Sequence, residues 1–492
     1  VDSEITLSKT FGTPDSNSAI SSFTAANFLS YGNNLSVVRA VGANSFNADA
    51  NTAQTNIQIA HSDVFEYTLL HTNNNNLYGA WMSRYPGALG NSLTVSACAN
   101  TSAFSSWTYK SYFSSAPTTS GYASSVGGSN DEMHIVVVDT NGLFSGSAGT
   151  VLETFPFVSK ASDAINQNDG SSNYYKQVIF NNSKYIYAVD PVDYSNTVST
   201  WGTSASNTTF YSSATTTTTL EGGSDDVVSD ANKISAFSLF ANKETTDISL
   251  VLTGDASATV QQDVIDNIVN SRKDCVAFIS PPSSAVINQS GNETSNIQTW
   301  LTSLARSSSY VVADSGWKYQ FDVYNNVYRW IPLNADVAGL CVYTDAVTDP
   351  WYSPAGFNRG AIKNAIKLSW NPSKTYRDTL YAAGVNPVVS FPGQGIVLFG
   401  DKTLQNKPSA FDHINVRRLF ITLEKAISKA AQTALFEFND EFTRAQFVAL
   451  VTPFLRDVQG RRGITDFKVV CDTTNNTAQV IDSNQFVGDI YI

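Results

Sequence analysis

Hydrophobic and polar positions follow different rhythms in different parts of the chain. Between residues 233 and 313, short apolar runs alternate with segments whose apolar residues recur every three or four positions. The pattern predicts helices over 233–242, 260–272 and 296–307, and strands over 248–253, 275–279 and 309–313. Val264, Ile265, Ile268 and Val269 mark the face of the second helix, and Pro281-Pro282 stops the second strand. Strands separated by helices at this spacing predict a parallel sheet. Residues 317–323 and 327–330 then read as a hairpin around Asn325-Asn326, and 332–341 as a helix.

From 57 to 223 the rhythm shortens to two. Val151, Glu153, Phe155 and Phe157 alternate with other residues, and 81–86, 93–97, 134–139, 178–180 and 185–189 continue as short strands. Residues 115–129 and 195–219, rich in Ser, Thr, Gly and Asn and including the run Thr215–Thr219, read as loops. Near the N-terminus, 6–12 and 35–40 read as strands, 18–31 as a helix, and 44–55 as a polar crossover.

Toward the C-terminus, 373–383 reads as a helix and 395–400 as a buried strand. A long amphipathic helix opens at Asp412, with Val416, Leu419, Phe420, Leu423, Ile427, Ala430 and Ala434 on one face. Asn439 or Asp440 caps a second helix, where Phe442, Phe447, Leu450 and Val451 share a face. Strands follow over 467–471 and 485–492. The expected fold is α+β and multidomain: a mostly-β domain (46–223) inserted in an α/β middle domain (1–45 and 224–345), followed by a compact α/β C-terminal domain (346–492).

Charge sharpens this division. The 492 residues carry a formal net charge of -12, a poor match for a general nucleic-acid binder. Residues 399–472 are the exception, with 11 Lys and Arg against 9 Asp and Glu. Only 15% of the chain is charged, as suits a surface that packs against copies of itself. Cys98, Cys275, Cys341 and Cys471 lie far apart in sequence, the pattern of buried free thiols rather than a metal site. No apolar run is long enough to span a membrane. The chain begins with Val1 rather than Met, as a sequence starting inside its encoded protein would.

Candidate chemistry is sparse. His61, His71, His134 and His413 lie in no nucleophile-elbow or HExxH setting. His413 reads as a cap or surface residue, and His134 as half-exposed before a strand. FPGQGIVLFG (391–400) has its glycines before a strand, the reverse of a dinucleotide fingerprint. The acidic groups Asp225-Asp226, Asp263/Asp266 and Glu437/Asp440/Glu441 read as caps and solvated faces rather than glycosidase pairs. Arg417, Arg418, Lys425 and Lys429 lie on the long helix, and Arg418, Lys425 and Lys429 share one polar face. Arg456, Arg461 and Arg462 end the second helix.

Several words of the sequence carry a resemblance. NFLSYGNNLSVVRAV (27–41), YPGALGNSL (85–93), WYSPAGFNRG (351–360), FGDKTL (399–404), FDHINVRRLF (411–420), FEFNDEFTR (436–444), FKVVCDTTNN (467–476) and VIDSNQFV (480–487) resemble, in order, the contractile tail sheath proteins of myovirus-type bacteriophages. The resemblance implies a structural protein and no enzyme, with no catalytic, cofactor-binding or metal residue. It implies a virion component, assembled in the host cytoplasm into six-fold rings stacked around a tail tube, with baseplate and tail terminator as further partners. The 346–492 domain would face the tube through a basic strip of Arg418, Lys425, Lys429, Arg456, Arg461 and Arg462. The mostly-β domain would lie outside. Phe467, Lys468, Val469, Val470, Phe486 and Val487 would offer strand edges to the arms of neighbouring subunits. The resemblance also implies an extended arm before the region matching residues 6–41 and another beyond Ile492. If they are absent the chain would be a monomer or a poor assembler; the alternative is that they exist but lie outside this sequence. The extra protruding domain that large members carry after VVRAV looks missing or reduced to a loop here. The rival expectation is a secreted carbohydrate-binding or glycan-cleaving protein, suggested by the Ser, Thr and Asn content and by Trp107, Trp201 and Trp300.

Overall fold

The computed structural model describes residues 1–51, 56–71, 77–191 and 200–492. Parts of two expected segments, 52–55 of the crossover and 195–199 of the Ser/Thr-rich loop, lie outside the described residues. The chain forms two compact units. One comprises Val1–Glu4, Asp15–Val38 and Lys233–Ile492; the other comprises Ile5–Pro14 and Arg39–Asn232.

The first unit is built on the sheet that the apolar runs predict. Four parallel strands lie in the order Val385–Asn386, Val311–Asp314, Val276–Ile279, Leu250–Leu252. Their side chains alternate between two cores. Val251, Ala277, Ile279, Val311 and Ala313 pack with Val264, Ile265, Ile268, Ile297, Trp300 and Leu304 on one face. Val276, Phe278 and Val312 pack on the other with Phe28, Tyr31 and Leu340. Burial on both faces is why these strands read as unbroken apolar runs. The helix Ala258–Asp263 continues through a π-helical turn, Val264–Val269, into Asn270–Arg272. On the opposite face, Asn334–Val347 lies against Ala19–Leu29, and a Cβ at Gly339 would collide with the Tyr31 ring. The predicted hairpin forms from Trp317–Asp322 and Val327–Pro332. Its turn is held by the Asp322 carboxylate, which accepts the Tyr324 and Asn325 N–H groups and pairs with Arg329 at 2.7 Å.

The C-terminal part of this unit is a helical hairpin, Ile414–Ala431 and Glu441–Gly460. Leu419 and Leu423 face Phe447, Val451, Leu455 and Val458 across it. The Asp440 side chain caps the second helix by accepting the Thr443 N–H at 2.8 Å, and that bond holds its carboxyl below the usual range. The buried face differs from the expected one. Phe442 and Leu450 are exposed, and the stripe runs through Phe447, Val451, Leu455 and Val458 instead.

The second unit contains an antiparallel sheet in the order Thr150–Ser159, Glu132–Asp139, Leu93–Cys98, Thr216–Thr219. A smaller ribbon pairs Trp81–Ser83 with Ile186–Ala188. Four expectations fail here and at the N-terminus. Residues 6–12 lie in a helix, Glu4–Phe11, whose buried Leu7 and half-buried Phe11 are one turn apart; Gly12 ends it at φ 90°. Residues 35–40 form no ladder. Residues 178–180 belong to the helix Tyr175–Asn182, with Tyr175 and Ile179 buried one turn apart. The threonine run is a strand, Thr216–Thr219, because β-branched side chains favour the pleated conformation and their hydroxyls bond across it: Thr217 to Ser96, and Thr219 to Thr94.

His134 is buried within a strand, not half-exposed before one. A bulge opposite it puts Phe157 at φ 52° and lets the Phe157 N–H donate to His134 Nδ1 at 3.1 Å, while Nε2 bonds the Ser115 carbonyl at 2.8 Å. Nδ1 accepting fixes the neutral, Nε2-protonated tautomer, and burial holds the imidazole below its ordinary pKa. Lys160 is also fully buried. Its ammonium donates to the carbonyls of Ala99, Asn130 and Tyr211 at 3.3, 2.7 and 3.2 Å and lies over the Trp201 ring. Burial pushes its pKa down to about 8.

Candidate assembly surfaces

The carboxyl ends of parallel strands are where open α/β sheets commonly hold ligands. Here that place is filled from within. Asp314 ends one strand, and its carboxylate accepts the Ser280 hydroxyl at 2.6 Å and the Gly316 N–H at 2.9 Å. Ser280 Oγ in turn accepts the backbone and side-chain N–H groups of Asn334, whose side chain also donates to the Gly254 carbonyl. The N-terminus of Asn334–Val347 therefore plugs the crevice. Two residues along the same helix, buried Asp336 pairs with buried Lys318 at 2.9 Å, and the Tyr31 hydroxyl donates to the same Asp336 oxygen. Burial lowers Lys318 and raises Asp336 and Asp314, the last to about 8. This is structural mortar.

The other sequence candidates for chemistry are similarly engaged. Among the described residues no cluster of His, Cys, Asp and Glu has a metal-binding arrangement. His413 leans on Asp401 and Asp412, Asp266 pairs with Arg306, and Asp226 accepts from Asn44. All four thiols are buried, and burial pushes Cys275 up to about 12 and Cys341 up to about 11, leaving them unreactive. Trp107, Trp201 and Trp300 are core residues, so they form no stacking platform for sugars. Among the described residues no helix is long and apolar enough to cross a membrane.

The basic residues divide into two kinds. Arg418 is turned inward: it bonds the Cys341 carbonyl and the Asp345 carboxylate, pinning the long helix to Asn334–Val347. Arg417 is likewise buried, with its guanidinium between the Tyr310 and Phe411 rings. Lys425 is half-buried and donates to Asp247, Ser249 and the Ile248 carbonyl. The helix face expected to belong to a tube-facing strip is therefore largely an internal contact, and Arg418 is withdrawn from it. Lys429, Arg456, Arg461 and Arg462 are exposed. Arg461 bridges Asp349 and Asp457 and covers the Trp351 ring.

The strand candidates come together only in part. Lys468–Val470 pairs antiparallel with Asp489–Tyr491, with Val469 opposite Ile490. Among the described residues neither strand has a second strand neighbour, although the Val470 carbonyl accepts the Asn475 side-chain N–H at 2.8 Å. Phe467, Phe486 and Val487 fall outside the strands. Phe486 packs on Phe447. Val487 has both backbone groups taken by the buried Asn476 side chain, at 2.7 and 2.9 Å, so it is no free edge.

Two aromatic surfaces escaped the sequence reading. Between the hairpin helices, Leu435, Phe436, Phe438 and Phe442 are exposed, Phe436 completely, with Glu437, Asp440 and Glu441 among them. The cue was present in LFEFNDEF, where apolar residues sit in a joint too short to bury them. The second surface is a cluster of Phe357, Phe391 and Phe399, with ring centroids 5.1–5.8 Å apart and Arg377 over two of the rings.

Known proteins match this chain. The family model described as "Phage tail sheath protein central domain" matches residues 229–404, and "Phage tail sheath C-terminal domain" matches 406–492. A tail sheath protein of Vibrio phage KVP40 is 50% identical over 50% of this chain and 39% of its own length. One of Enterobacteria phage T4 is 41% identical over 54% of the chain and 42% of its own. The chain thus matches about two fifths of the length of these two relatives. A tail sheath protein of Salmonella phage ViI is 31% identical over 99% of the chain and 86% of its own length. A solved sheath tail protein from Listeria innocua is 10% identical, with a TM-score of 0.48 over 96% of this chain and 98% of its own. The family models match 229–404 and 406–492, and the Salmonella phage ViI protein matches 99% of the chain at 31% identity, so the chain belongs to the phage tail sheath protein family.

Proposed function

We propose that the chain is a structural protomer of a phage contractile tail sheath. It polymerises as stacked six-fold rings around a tail tube and contracts to drive the tube through the host envelope. The observation that carries this reading is the two-stranded ribbon Lys468–Val470/Asp489–Tyr491, with no further strand beside it among the described residues and lying in the segment that matches the sheath C-terminal domain. An extended segment from a neighbour can add to it as a further strand, with main-chain hydrogen bonds supplying strength and side chains supplying register.

The second unit, Ile5–Pro14 and Arg39–Asn232, supports treating 46–223 as a domain of its own, while 233–345 and 346–492 share the first unit. Residues 346–492 act as the inner domain facing the tube, and 46–223 as an outer domain that exchanges neighbours on contraction. The exposed cations Lys429, Arg456, Arg461 and Arg462 supply the tube-facing charge. The driving force is subunit interface buried on contraction, which calls for no nucleotide; the crevice where one would sit is occupied by Asn334. Baseplate and tail terminator are the partners at the two ends, and the virion is the destination after assembly in the host cytoplasm. Electron microscopy of the purified chain with the tube protein tests this. Six-fold rings or striated tubes are expected, and persistently monodisperse monomers would overturn it.

A further inference from the structure

The two aromatic surfaces of the first unit are opposite in charge. The tip between the hairpin helices presents Phe436 and Phe438 beside Leu435, ringed by Glu437, Asp440 and Glu441 with no cation between 435 and 442. Phe436 sits at φ 67°, a backbone region that bulky side chains rarely occupy, and its ring is fully exposed there. The Phe357/Phe391/Phe399 cluster carries one cation directly on its rings. Arg377 stacks on Phe391 and Phe399 at 5.5 and 5.9 Å from the centroids. One surface, the knob, is aromatic and flanked by acids; the other, the seat, is an aromatic cluster topped by the Arg377 guanidinium.

They cannot meet within one molecule. The seat is tied to the N-terminal end of Ile414–Ala431: Ile414 N–H donates to the Asp401 carbonyl at 2.7 Å, two residues beyond Phe399. The knob follows the other end of that 18-residue helix, about 27 Å away at the helical rise. Exposed aromatic groups of this size are uncommon on a surface that stays in water. Opposite charges favour one orientation and disfavour like against like. We propose that the knob of one copy docks in the seat of a second copy. The contact is heterologous, knob to seat rather than knob to knob, and so propagates into a ring or a helical array rather than closing as a dimer. This rests on the sheath reading and names the partner surface within it.

The test uses the full chain, whose native thiols are all buried. Phe436→Cys and Phe357→Cys are made separately and together, and oxidised under assembly conditions. Mixing the two single variants should give disulfide dimers at least about tenfold above either alone, and the double variant should give a ladder of higher oligomers. Separately, Phe436→Ser/Phe438→Ser should raise the concentration needed for assembly by about tenfold or more. Glu437→Arg should do so to a lesser degree, with partial rescue by Arg377→Glu. If wild-type chain assembles but the mixed pair links no better than the single variants, the contact is overturned while the sheath reading stands. Preferential linkage of Phe436→Cys to a cysteine-scanned tube protein likewise overturns the self-contact. If wild-type chain and tube never assemble, the sheath reading fails and takes this inference with it.

Discussion

The parallel sheet of the first unit and the helical hairpin at its C-terminal end use the same apolar residues and finish differently. In the sheet, both faces are covered, and the polar ends of the strands are closed by Ser280, Asp314 and Asn334. In the hairpin, one face is covered by Leu455 and its neighbours, while the joint leaves three phenylalanines exposed and the adjoining ribbon has no further strand beside it among the described residues. A region that satisfies its own groups has nothing left to offer a neighbour. A region that does not is incomplete until a partner arrives. Under the proposed sheath role, one chain needs both kinds.

The strongest way to break this comparison is at the sheet's buried ion pair. Lys318→Met leaves Asp336 buried without its cation and should cost about 3–5 kcal/mol, read as a lowered urea midpoint. Adding Asp336→Leu should recover much of that loss; a single variant near wild-type stability would show that the mortar is dispensable. Next in size, Leu455→Ala opens a cavity between the hairpin helices and should cost about 2–5 kcal/mol. Hydrogen exchange should then rise in Ile414–Ala431 and Glu441–Gly460 before it rises in the sheet strands.

The pH dependence gives a smaller, signed effect. Burial lifts Asp314 from its ordinary 3.8 to about 8. The folded protein therefore keeps that proton between those values while the unfolded chain has released it. Stability from this group is full below pH 3.8 and is lost as pH rises through about 8. Asp314→Asn should flatten that fall, measured as urea midpoints across the window. Smallest of all, Phe438→Ser should leave the isolated protomer within about 0.5 kcal/mol of wild type yet lower its sedimentation coefficient under assembly conditions. A large loss of protomer stability would make Phe438 a core residue and collapse the contrast.

How far each region could be read from sequence follows the same division. The strands around Val276, Phe278 and Val312 were legible because burial on two faces forces apolar runs. The hairpin helices were legible as helices, but Phe442 and Leu450 were assigned to the core because spacing alone cannot show which of two apolar stripes is covered. Arg418 and Lys425 read as an outward, tube-facing strip because charged residues sharing a helix face usually point away from the core. Here Asp345 and the 247–249 segment reach over them, a long-range fact invisible to any local window. The threonine run was misread for the opposite reason: composition said loop, while each β-branched side chain favoured a strand.

Lys160 has a kinetic consequence. At mildly alkaline pH a sizeable fraction of its side chain is an uncharged amine, the form that attacks acylating reagents, yet three carbonyls and the surrounding core enclose it. Its modification can then proceed only when the second unit opens. The rate at which this one amine is labelled is a clock for the breathing of that unit, readable by mass spectrometry in a free protomer and again in any assembled state.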